Sequence, residues 1–275
     1  MNSPHFYKPV PQTLLARIIG RDPASGIDPI LCGYEAFLRK FNIPRKGALH
    51  LGGHIGQELP MYAALGFRNV VMVEPLEDEF RKLDQRIAAF NESCRHIADF
   101  MSELQPSRAC AVRCAVSDRS GTANFYRTRA SSLSSLSKPK RENFSQMWQA
   151  FDATLPLHKR IMLRVMSRNA ISYDEICVPC KTLDELVDQL PNNWRAEDFS
   201  YLRMNIQGSE LKALLGGLSV LKHISLIDLE TNIEQRYENA PSKDDFDALL
   251  EPYGFKAVFG YRVGPMGNLF YVRAV

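Results

Sequence analysis

Residues 48–58 read ALHLGGHIGQE, and this stretch decides the fold. Its first residues are apolar enough for a buried strand, and residues 56–66, GQELPMYAALG, have the apolar spacing of an amphipathic helix. Gly52, Gly53 and Gly56 lie between strand and helix, where a tight turn requires residues without a side chain. A strand, a glycine turn and a helix in this order form a ligand-binding device in parallel α/β sheets.

The composition is that of an ordinary globular protein. The chain has 275 residues, of which 45% are hydrophobic and 24% charged. A net charge of +3, from 34 basic and 31 acidic residues, is too small to indicate a nucleic-acid partner. The N-terminus lacks the apolar core of a signal peptide, and no apolar run approaches the roughly 18 residues that span a membrane. We therefore expect a cytoplasmic protein without membrane contact, and homo-oligomerisation stays open.

Two pairs of cysteines could in principle form a four-thiolate zinc site. Cys177 and Cys180 form a CxxC motif, and Cys110 and Cys114 form the second pair. Both pairs lie in runs with the character of strands, where residues three apart face opposite sides. We therefore expect no metal site.

Apolar strand patterns alternate with amphipathic helix patterns from residue 47 onward. The predicted strands are GALHL (47–51), NVVMVEP (69–75), ACAVRCAV (109–116), GTANFYRT (121–128), YDEICVPCKTL (173–183), YLRMNI (201–206), HISLIDLE (223–230), FKAVFGYRV (255–263) and GNLFYVRAV (267–275). This alternation predicts an α/β fold of the Rossmann-like, doubly wound kind with a mostly parallel sheet. The last two strands have no helix between them, which indicates an antiparallel C-terminal edge.

The domain organisation follows from where this alternation begins. Residues 1–46 hold two helical patterns, TLLARIIG (13–20) and GYEAFLRKF (33–41), split by a turn-rich segment. We interpret them as an N-terminal helical extension that packs on the main domain. The main domain is predicted to span residues 47–275.

Residues 129–172 interrupt the α/β alternation. A serine-rich loop opens the segment, and helical patterns follow over residues 144–155 and 158–169 with many basic side chains. We interpret the segment as an inserted helical cap over the substrate, as lids are common in α/β enzymes. A solvated basic face is the alternative.

Glu74 ends the second predicted strand, about 20 residues after the glycine turn, where a ribose-binding acid is usual. A carboxylate there accepts both ribose hydroxyl protons, which indicates a cofactor that contains adenosine. The dinucleotide pattern GxGxxG fits no start position in HLGGHIGQE. The spacing of His50, Gly52, His54 and Gly56 instead matches the looser turn of S-adenosylmethionine enzymes.

The sequence resembles the FkbM-type methyltransferases from about Gly47 to Arg273. The segments that carry this resemblance are HLGGHIGQE (50–58), VVMVEP (70–75), CAVSDRSGTANFY (114–126), SSLSSL (131–136), KTLDEL (181–186), YLRMNIQGSELKALLGG (201–217), LIDLETN (226–232) and YGFKAVFG (253–260). Their order and spacing are together specific. The resemblance implies a Rossmann-like methyltransferase that binds S-adenosyl-L-methionine and releases S-adenosyl-L-homocysteine.

The sequence departs from the family pattern at four positions. The family often has Asp where this chain has His50, and a lysine where it has Arg203. Asn205 and Gln207 stand where the family has acids. An amide has no titratable proton in the useful range, so we predict that it orients the cofactor or the acceptor. Glu230, at the carboxyl end of the next strand, is then the best candidate for a base.

These arguments predict two sets of site residues. The predicted cofactor-binding residues are His50, Gly52, Gly53, His54, Gly56, Glu58, Glu74, Pro75, Ser117, Asp118 and Asn205. The predicted catalytic residues are Glu230, Asn205 and Gln207. Ser117 and Asp118 are included because they follow the third strand, where adenine commonly lies in this architecture.

The function expected from these residues is O-methylation of a hydroxyl group. The acceptor would be a small molecule, a sugar or a polyketide-like compound. Two alternatives stay open: a catalytically weakened relative that only binds its ligands, and a nicotinamide-dependent oxidoreductase.

Overall fold

A computed structural model describes residues 8–9, 29–100, 107–140, 143–144, 172–232, 236–263 and 266–274. The predicted helix over residues 13–20 lies outside the described residues. So do the two predicted cap helices, apart from Phe144.

Strands and helices alternate along the described chain. The strands are β1 (Lys8–Pro9), β2 (Gly47–Leu51), β3 (Asn69–Val73), β4 (Arg108–Val112), β5 (Ala115–Val116), β6 (Gly121–Thr128), β7 (Tyr173–Lys181), β8 (Tyr201–Met204), β9 (Leu226–Asn232), β10 (Phe255–Val263) and β11 (Met266–Arg273). The helices are α1 (Pro29–Lys40), α2 (Leu59–Ala64), α3 (Glu77–Phe100), α4 (Leu183–Asp188), α5 (Glu210–Leu215), α6 (Leu218–Leu221) and α7 (Lys243–Leu250). None of these described helices is long and apolar enough to cross a membrane.

Eight of the described strands form the main sheet, in the order β1-β10-β11-β9-β8-β2-β3-β4. The central strands β4, β3, β2, β8 and β9 pair in parallel, whereas β11 is antiparallel to both β9 and β10. This arrangement confirms the predicted mostly parallel sheet with an antiparallel C-terminal edge. The order of the chain reverses between β2 and β8, and ligands bind at such a switch point in open α/β sheets.

Helices cover both faces of the main sheet. Leu49 and Leu51 of β2 are buried in a core with side chains of α4–α7, and Ala48 is buried on the other face with side chains of α1–α3. A parallel sheet buried on both faces requires such runs of apolar residues. The doubly wound, Rossmann-like prediction is therefore confirmed.

The third predicted strand, ACAVRCAV, was wrong as a single strand. It ends at Val112, and the chain then crosses into β5, which belongs to a separate sheet with the order β5-β7-β6. Arg113 breaks the apolar run, and its guanidinium forms an ion pair with Glu77 at the start of α3. The small sheet has its own apolar core, formed by Leu76, Ala115, Phe125, Val178 and Cys180.

The cysteines of β7 diverge as predicted. Cys177 is exposed and Cys180 is buried, on opposite faces of the strand. Across the described residues, no three His, Cys, Asp or Glu side chains form a group that could hold a metal ion.

Helix α1 is part of the main core. Leu38 and the following Ile43 are buried with Tyr62 of α2 and Phe67. The predicted helix over residues 33–41 corresponds to this element, which begins earlier, at Pro29. The predicted domain boundary at residue 46 stays a prediction, and the packing joins both sides of it.

Candidate functional site

The glycine turn after β2 brings three strand ends together. The backbone N–H groups of Gly52 and Gly53 donate to the carbonyl oxygen of Val73, at 3.0 and 2.9 Å, which ties the turn to β3. Gly52 has a φ of +83°, and a Cβ at this position would lie 2.1 Å from the carbonyl oxygen of Asn205 after β8. Only glycine fits between the two backbones here.

A cleft of about 220 Å³ opens beside this turn, at the carboxyl ends of β2, β3 and β8. It lies at the switch point of the sheet, where such folds bind their ligands. Six of the residues predicted from the sequence line it: Gly52, His54, Glu58, Glu74, Pro75 and Asn205.

Glu74 contributes a carboxylate to the cleft wall. Its Oε2 accepts from the backbone N–H of His54 at 3.0 Å, and its Oε1 accepts from that of Leu76 at 2.9 Å. Only 6% of the residue is exposed, and burial raises the pKa of the carboxyl group to about 7. A carboxylate offers about four lone-pair positions, so each oxygen retains the capacity to accept one further hydrogen bond.

The far wall of the cleft comes from residues that the sequence analysis did not select. Cys114, Ala115 and Val116 around β5 and Phe125 of β6 form an apolar surface. The crossing of the chain from β4 into the small sheet places them there. The segment CAVSDRSGTANFY (114–126) includes these residues and carries part of the family resemblance. The prediction of ACAVRCAV (109–116) as one strand placed residues 114–116 in the main sheet instead.

A serine loop over residues 131–137 closes the cleft on one side. Ser131, Ser132 and Ser134 line the cleft. The loop is fixed to β6 by two backbone hydrogen bonds between Tyr126 and Ser135, at 2.8 and 3.2 Å. The serine-rich segment SSLSSL (131–136) forms this wall of the cleft, although serine-rich segments are usually linkers.

Side-chain hydrogen bonds connect the serine loop to both the glycine turn and the turn after β8. The Oγ of Ser131 lies 2.9 Å from Nε2 of His54 in the glycine turn. The Oγ of Ser135 donates to the carbonyl oxygen of Gln207 at 2.8 Å. The loop therefore bridges the β2 and β8 sides of the cleft.

The three predicted catalytic residues form one connected cluster, with Asn205 and Gln207 after β8 and Glu230 near the end of β9. Asn205 lines the cleft, and its Oδ1 accepts from Nε2 of Gln207 at 2.6 Å. The same Nε2 lies 3.3 Å from Oε1 of Glu230, which is also 3.3 Å from Nη2 of Arg236. Gln207 and Glu230 are therefore behind Asn205 and outside the cleft wall.

Residues 50–257 match the Methyltransferase FkbM domain, which covers most of the chain. The chain belongs to the FkbM methyltransferase family. No curated protein is a significant match.

Three solved structures illustrate the similarity of this FkbM methyltransferase chain to known folds. Magnesium protoporphyrin IX methyltransferase (ChlM) from Synechocystis PCC 6803 with bound SAM is 12% identical, with a TM-score of 0.40 over 99% of this chain and 93% of that chain. The METTL16 methyltransferase domain is 10% identical, with a TM-score of 0.42 over 89% and 68%. A SAM-dependent methyltransferase from Aquifex aeolicus is 8% identical, with a TM-score of 0.35 over 96% and 98%.

Two predicted cofactor-binding residues, His50 in β2 and Gly56 in the FkbM glycine turn, lie outside the cleft wall. His50 is 1% exposed, and its Nδ1 lies 3.0 Å from the hydroxyl oxygen of Tyr62. Burial lowers the pKa of His50 to about 4, so the imidazole is neutral near pH 7. A Cβ on Gly56 would lie 2.8 Å from Cδ1 of Leu83, which indicates a packing reason for glycine. Their predicted roles in cofactor binding stay predictions.

Ser117, Asp118 and Gly53 also lie outside the cleft wall. Ser117 and Asp118 line a separate, more open groove, and the Ser117 hydroxyl donates to Oδ1 of Asp118 at 3.0 Å. Gly53 packs with its Cα against Met72, and a Cβ there would come within 3.0 Å of that side chain. An adenine contact at Ser117 or Asp118 stays a prediction.

Proposed function

We propose that this FkbM methyltransferase uses S-adenosylmethionine and methylates a hydroxyl group of a small molecule. The observation that carries the proposal is Glu74, a buried carboxylate at the end of β3 with acceptor capacity left on both oxygens. It stands beside a turn in which Gly52 cannot be replaced by a residue with a side chain. This combination suits a ribose with two neighbouring hydroxyl donors.

The remaining walls fit the other parts of this cofactor. Adenine, a flat and largely apolar ring, would lie against Pro75, Ala115 and Val116. The methionine tail would extend the other way, across the glycine turn toward Asn205 at the end of β8. The residues of the cleft are therefore chemically suited to S-adenosylmethionine along its whole length.

S-adenosylmethionine, when bound, supplies an electrophilic methyl group on a sulfonium. The contribution of the chain is to hold the two reactants in line, which can remove much of the barrier. The hydroxyl groups of Ser131, Ser132 and Ser134 can each donate and accept a hydrogen bond. A wall of this kind supports an acceptor that itself carries hydroxyl groups.

A general base would accept the proton of the acceptor hydroxyl. Glu230 is the candidate predicted from the sequence, and His54 is the alternative. His54 lines the cleft, whereas Glu230 lies behind Gln207. Glu230→Gln retains the oxygen that contacts Gln207 and Arg236 and removes the charge. If Glu230 is the base, turnover on a panel of hydroxylated acceptors at saturating cofactor should fall on the order of 10²–10⁴-fold. Full turnover would instead favour His54 or alignment alone.

A catalytically weakened binding protein is the second candidate. Asn205 and Gln207, amides where the family has acids, are the observation that favours it. Calorimetry with S-adenosylmethionine, S-adenosylhomocysteine and NAD tests the cofactor, and binding of NAD alone would overturn the proposal. Cofactor binding without turnover on any acceptor of the panel would favour the second candidate.

A further inference from the structure

Asn205 stands at the end of a chain of polar contacts that runs from the buried interior to the cleft. Arg236 is fully buried and forms an ion pair with Oε1 of Glu230 at 3.3 Å. The same oxygen faces Nε2 of Gln207, which donates to Oδ1 of Asn205 at 2.6 Å. Each member of this chain can therefore influence the orientation of the next.

The contacts permit one orientation of the Gln207 amide. A carboxylate without a proton only accepts hydrogen bonds, so Glu230 requires the NH₂ end of Gln207 to face it. The reverse orientation would place the amide oxygen against a carboxylate oxygen. The Oε1 end of Gln207 instead lies 3.1 Å from the hydroxyl of Tyr237, whose one proton is shared between this oxygen and the carbonyl oxygen of Leu133 at 2.8 Å.

The orientation of Gln207 determines that of Asn205. Because Nε2 of Gln207 is a donor, Asn205 must present Oδ1 to it. The two hydrogens on Nδ2 of Asn205 are then available on the cleft wall, and no residue in the described part of the chain bonds to this nitrogen.

The turn that carries these two amides is held rigidly. Gln207 has a φ of +58°, a conformation that costs energy for a residue other than glycine. The carboxylate of Glu210 accepts from the backbone N–H groups of Ile206 and Gly208, at 3.1 and 2.9 Å. Strain that persists because the surroundings fix it is typical of functional sites.

We propose that Gln207 and Glu230 are positioning residues that turn the N–H groups of Asn205 toward the cleft, where they bind the carboxylate of the cofactor's methionine tail. The proposal rests on the proposed function, which puts the ribose at Glu74. From β3, the end of β8 is two strands away, roughly 10 Å at the usual strand spacing. A tail that starts at the ribose and crosses the glycine turn arrives at Asn205.

A comparison of two ligands by calorimetry tests this proposal. S-adenosylhomocysteine carries the amino-acid tail, and 5′-methylthioadenosine is the same nucleoside thioether without it. Asn205→Ala should weaken S-adenosylhomocysteine binding about tenfold, the order expected for hydrogen bonds to a charged group. Gln207→Met, close in size but unable to donate, should weaken it by a smaller factor of about three. Neither variant should change the affinity for 5′-methylthioadenosine.

The double variant separates a positioning role from direct contact. If Gln207 acts only through Asn205, Gln207→Met should have no further effect in the Asn205→Ala background. Gln189→Met, the same change at an exposed position directly after α4, is the matched control and should bind both ligands as the wild type does. Gln207→Leu, which also cannot donate a hydrogen bond, serves if Gln207→Met does not fold.

Three results would overturn the proposal. Unchanged S-adenosylhomocysteine affinity in Gln207→Met would show that the amide has no influence. If the fold-changes of the two single variants multiply in the double variant, Asn205 and Gln207 contact the ligand independently. An equal loss of affinity for both ligands would indicate that the turn has collapsed. A wild-type chain that binds neither ligand would refute the proposed function itself.

Discussion

The two sides of the cleft hold their polar groups in different ways. On the β3 side, the carboxylate of Glu74 is fixed by backbone N–H groups of the glycine turn and of its own loop. On the β8 side, Asn205 and Gln207 are fixed by side chains from distant parts of the chain, Glu230 and Tyr237. The first arrangement depends on backbone shape, and the second depends on the identity of several side chains.

This difference explains what each side can tolerate. A site built on backbone donors survives most substitutions nearby, provided that the turn keeps its shape. A site whose polar groups are oriented by a series of side-chain hydrogen bonds presents different donors and acceptors when one of these side chains is substituted. Substitutions that disturb the glycine turn on the β3 side should therefore lower the free energy of unfolding. Substitutions in the side-chain network on the β8 side should instead change ligand selectivity.

The largest effect is expected where the two sides touch, at Gly52. Gly52→Ala would force a Cβ to 2.1 Å from the carbonyl oxygen of Asn205 at a φ of +83°. We expect a loss of about 2–5 kcal/mol in the free energy of unfolding, from the backbone conformation and the overpacking together. Denaturant titration measures it. Gly66→Ala is the control, because Gly66 has nearly the same φ, +82°, but no atom closer than 3.6 Å. Equal losses of unfolding free energy in the two variants would show that the close approach to the carbonyl oxygen of Asn205 does not contribute.

A smaller effect is expected from the acid of the β3 side. Glu74→Ala should weaken S-adenosylhomocysteine binding by about 1.5–3 kcal/mol, because hydrogen bonds to a charged group are lost. Calorimetry measures it, with Asp78→Ala on the exposed side of α3 as the control. Unchanged affinity would remove Glu74 from the ribose site and the proposed cofactor position with it.

The raised pKa of Glu74 predicts a pH dependence of cofactor binding. Ribose hydroxyls donate to the ionised carboxylate, and protonation below a pKa of about 7 removes this acceptor. Affinity for S-adenosylhomocysteine should therefore rise with pH, by roughly tenfold between pH 6 and pH 8, since one pKa unit corresponds to a factor of ten. Glu74→Gln should abolish this slope, and a slope that persists in the variant would assign it to another group.

The smallest effect concerns the hydrogen bond between the serine loop and the glycine turn. Ser131→Ala removes the hydroxyl that lies 2.9 Å from Nε2 of His54. We expect a loss of about 0.5–1.5 kcal/mol in the free energy of unfolding, the usual value for one hydrogen bond. Ser132→Ala, an exposed neighbour, is the control. Identical unfolding curves for the two variants would show that the bridge contributes nothing.

The β3 side of the site could be predicted from the sequence because its signal is local. The strand, the glycine turn and the acid at the next strand end are separated by fixed numbers of residues, so Gly52 and Glu74 were found together. The mostly parallel sheet and its antiparallel edge were predicted from the alternation of strands and helices. Local backbone shape and short-range spacing are what a single sequence encodes most directly.

The β8 side and the far wall could not be predicted in the same way. Asn205 was recognised, but its connection through Gln207 to Tyr237 depends on a contact between residues 30 positions apart. Glu230 was predicted to be the base, and its position behind the Gln207 amide depends on contacts that the sequence does not reveal. The chain crosses into the small sheet at Arg113, which forms an ion pair with Glu77, a tertiary contact that periodicity does not reveal. Each of these features is decided by packing between distant segments.

The passage of the chain from β4 into the small sheet has a consequence for evolution. Ala115 and Phe125 of the cleft wall belong to a unit with its own apolar core, and only a short link at residues 113–114 joins its first strand to the main sheet. Substitutions in that unit can reshape one side of the cleft while the glycine turn keeps its structure. Descendants of one ancestral chain could thus acquire new acceptors by mutation of the serine loop that follows β6, with the residues around Glu74 and the glycine turn inherited unchanged.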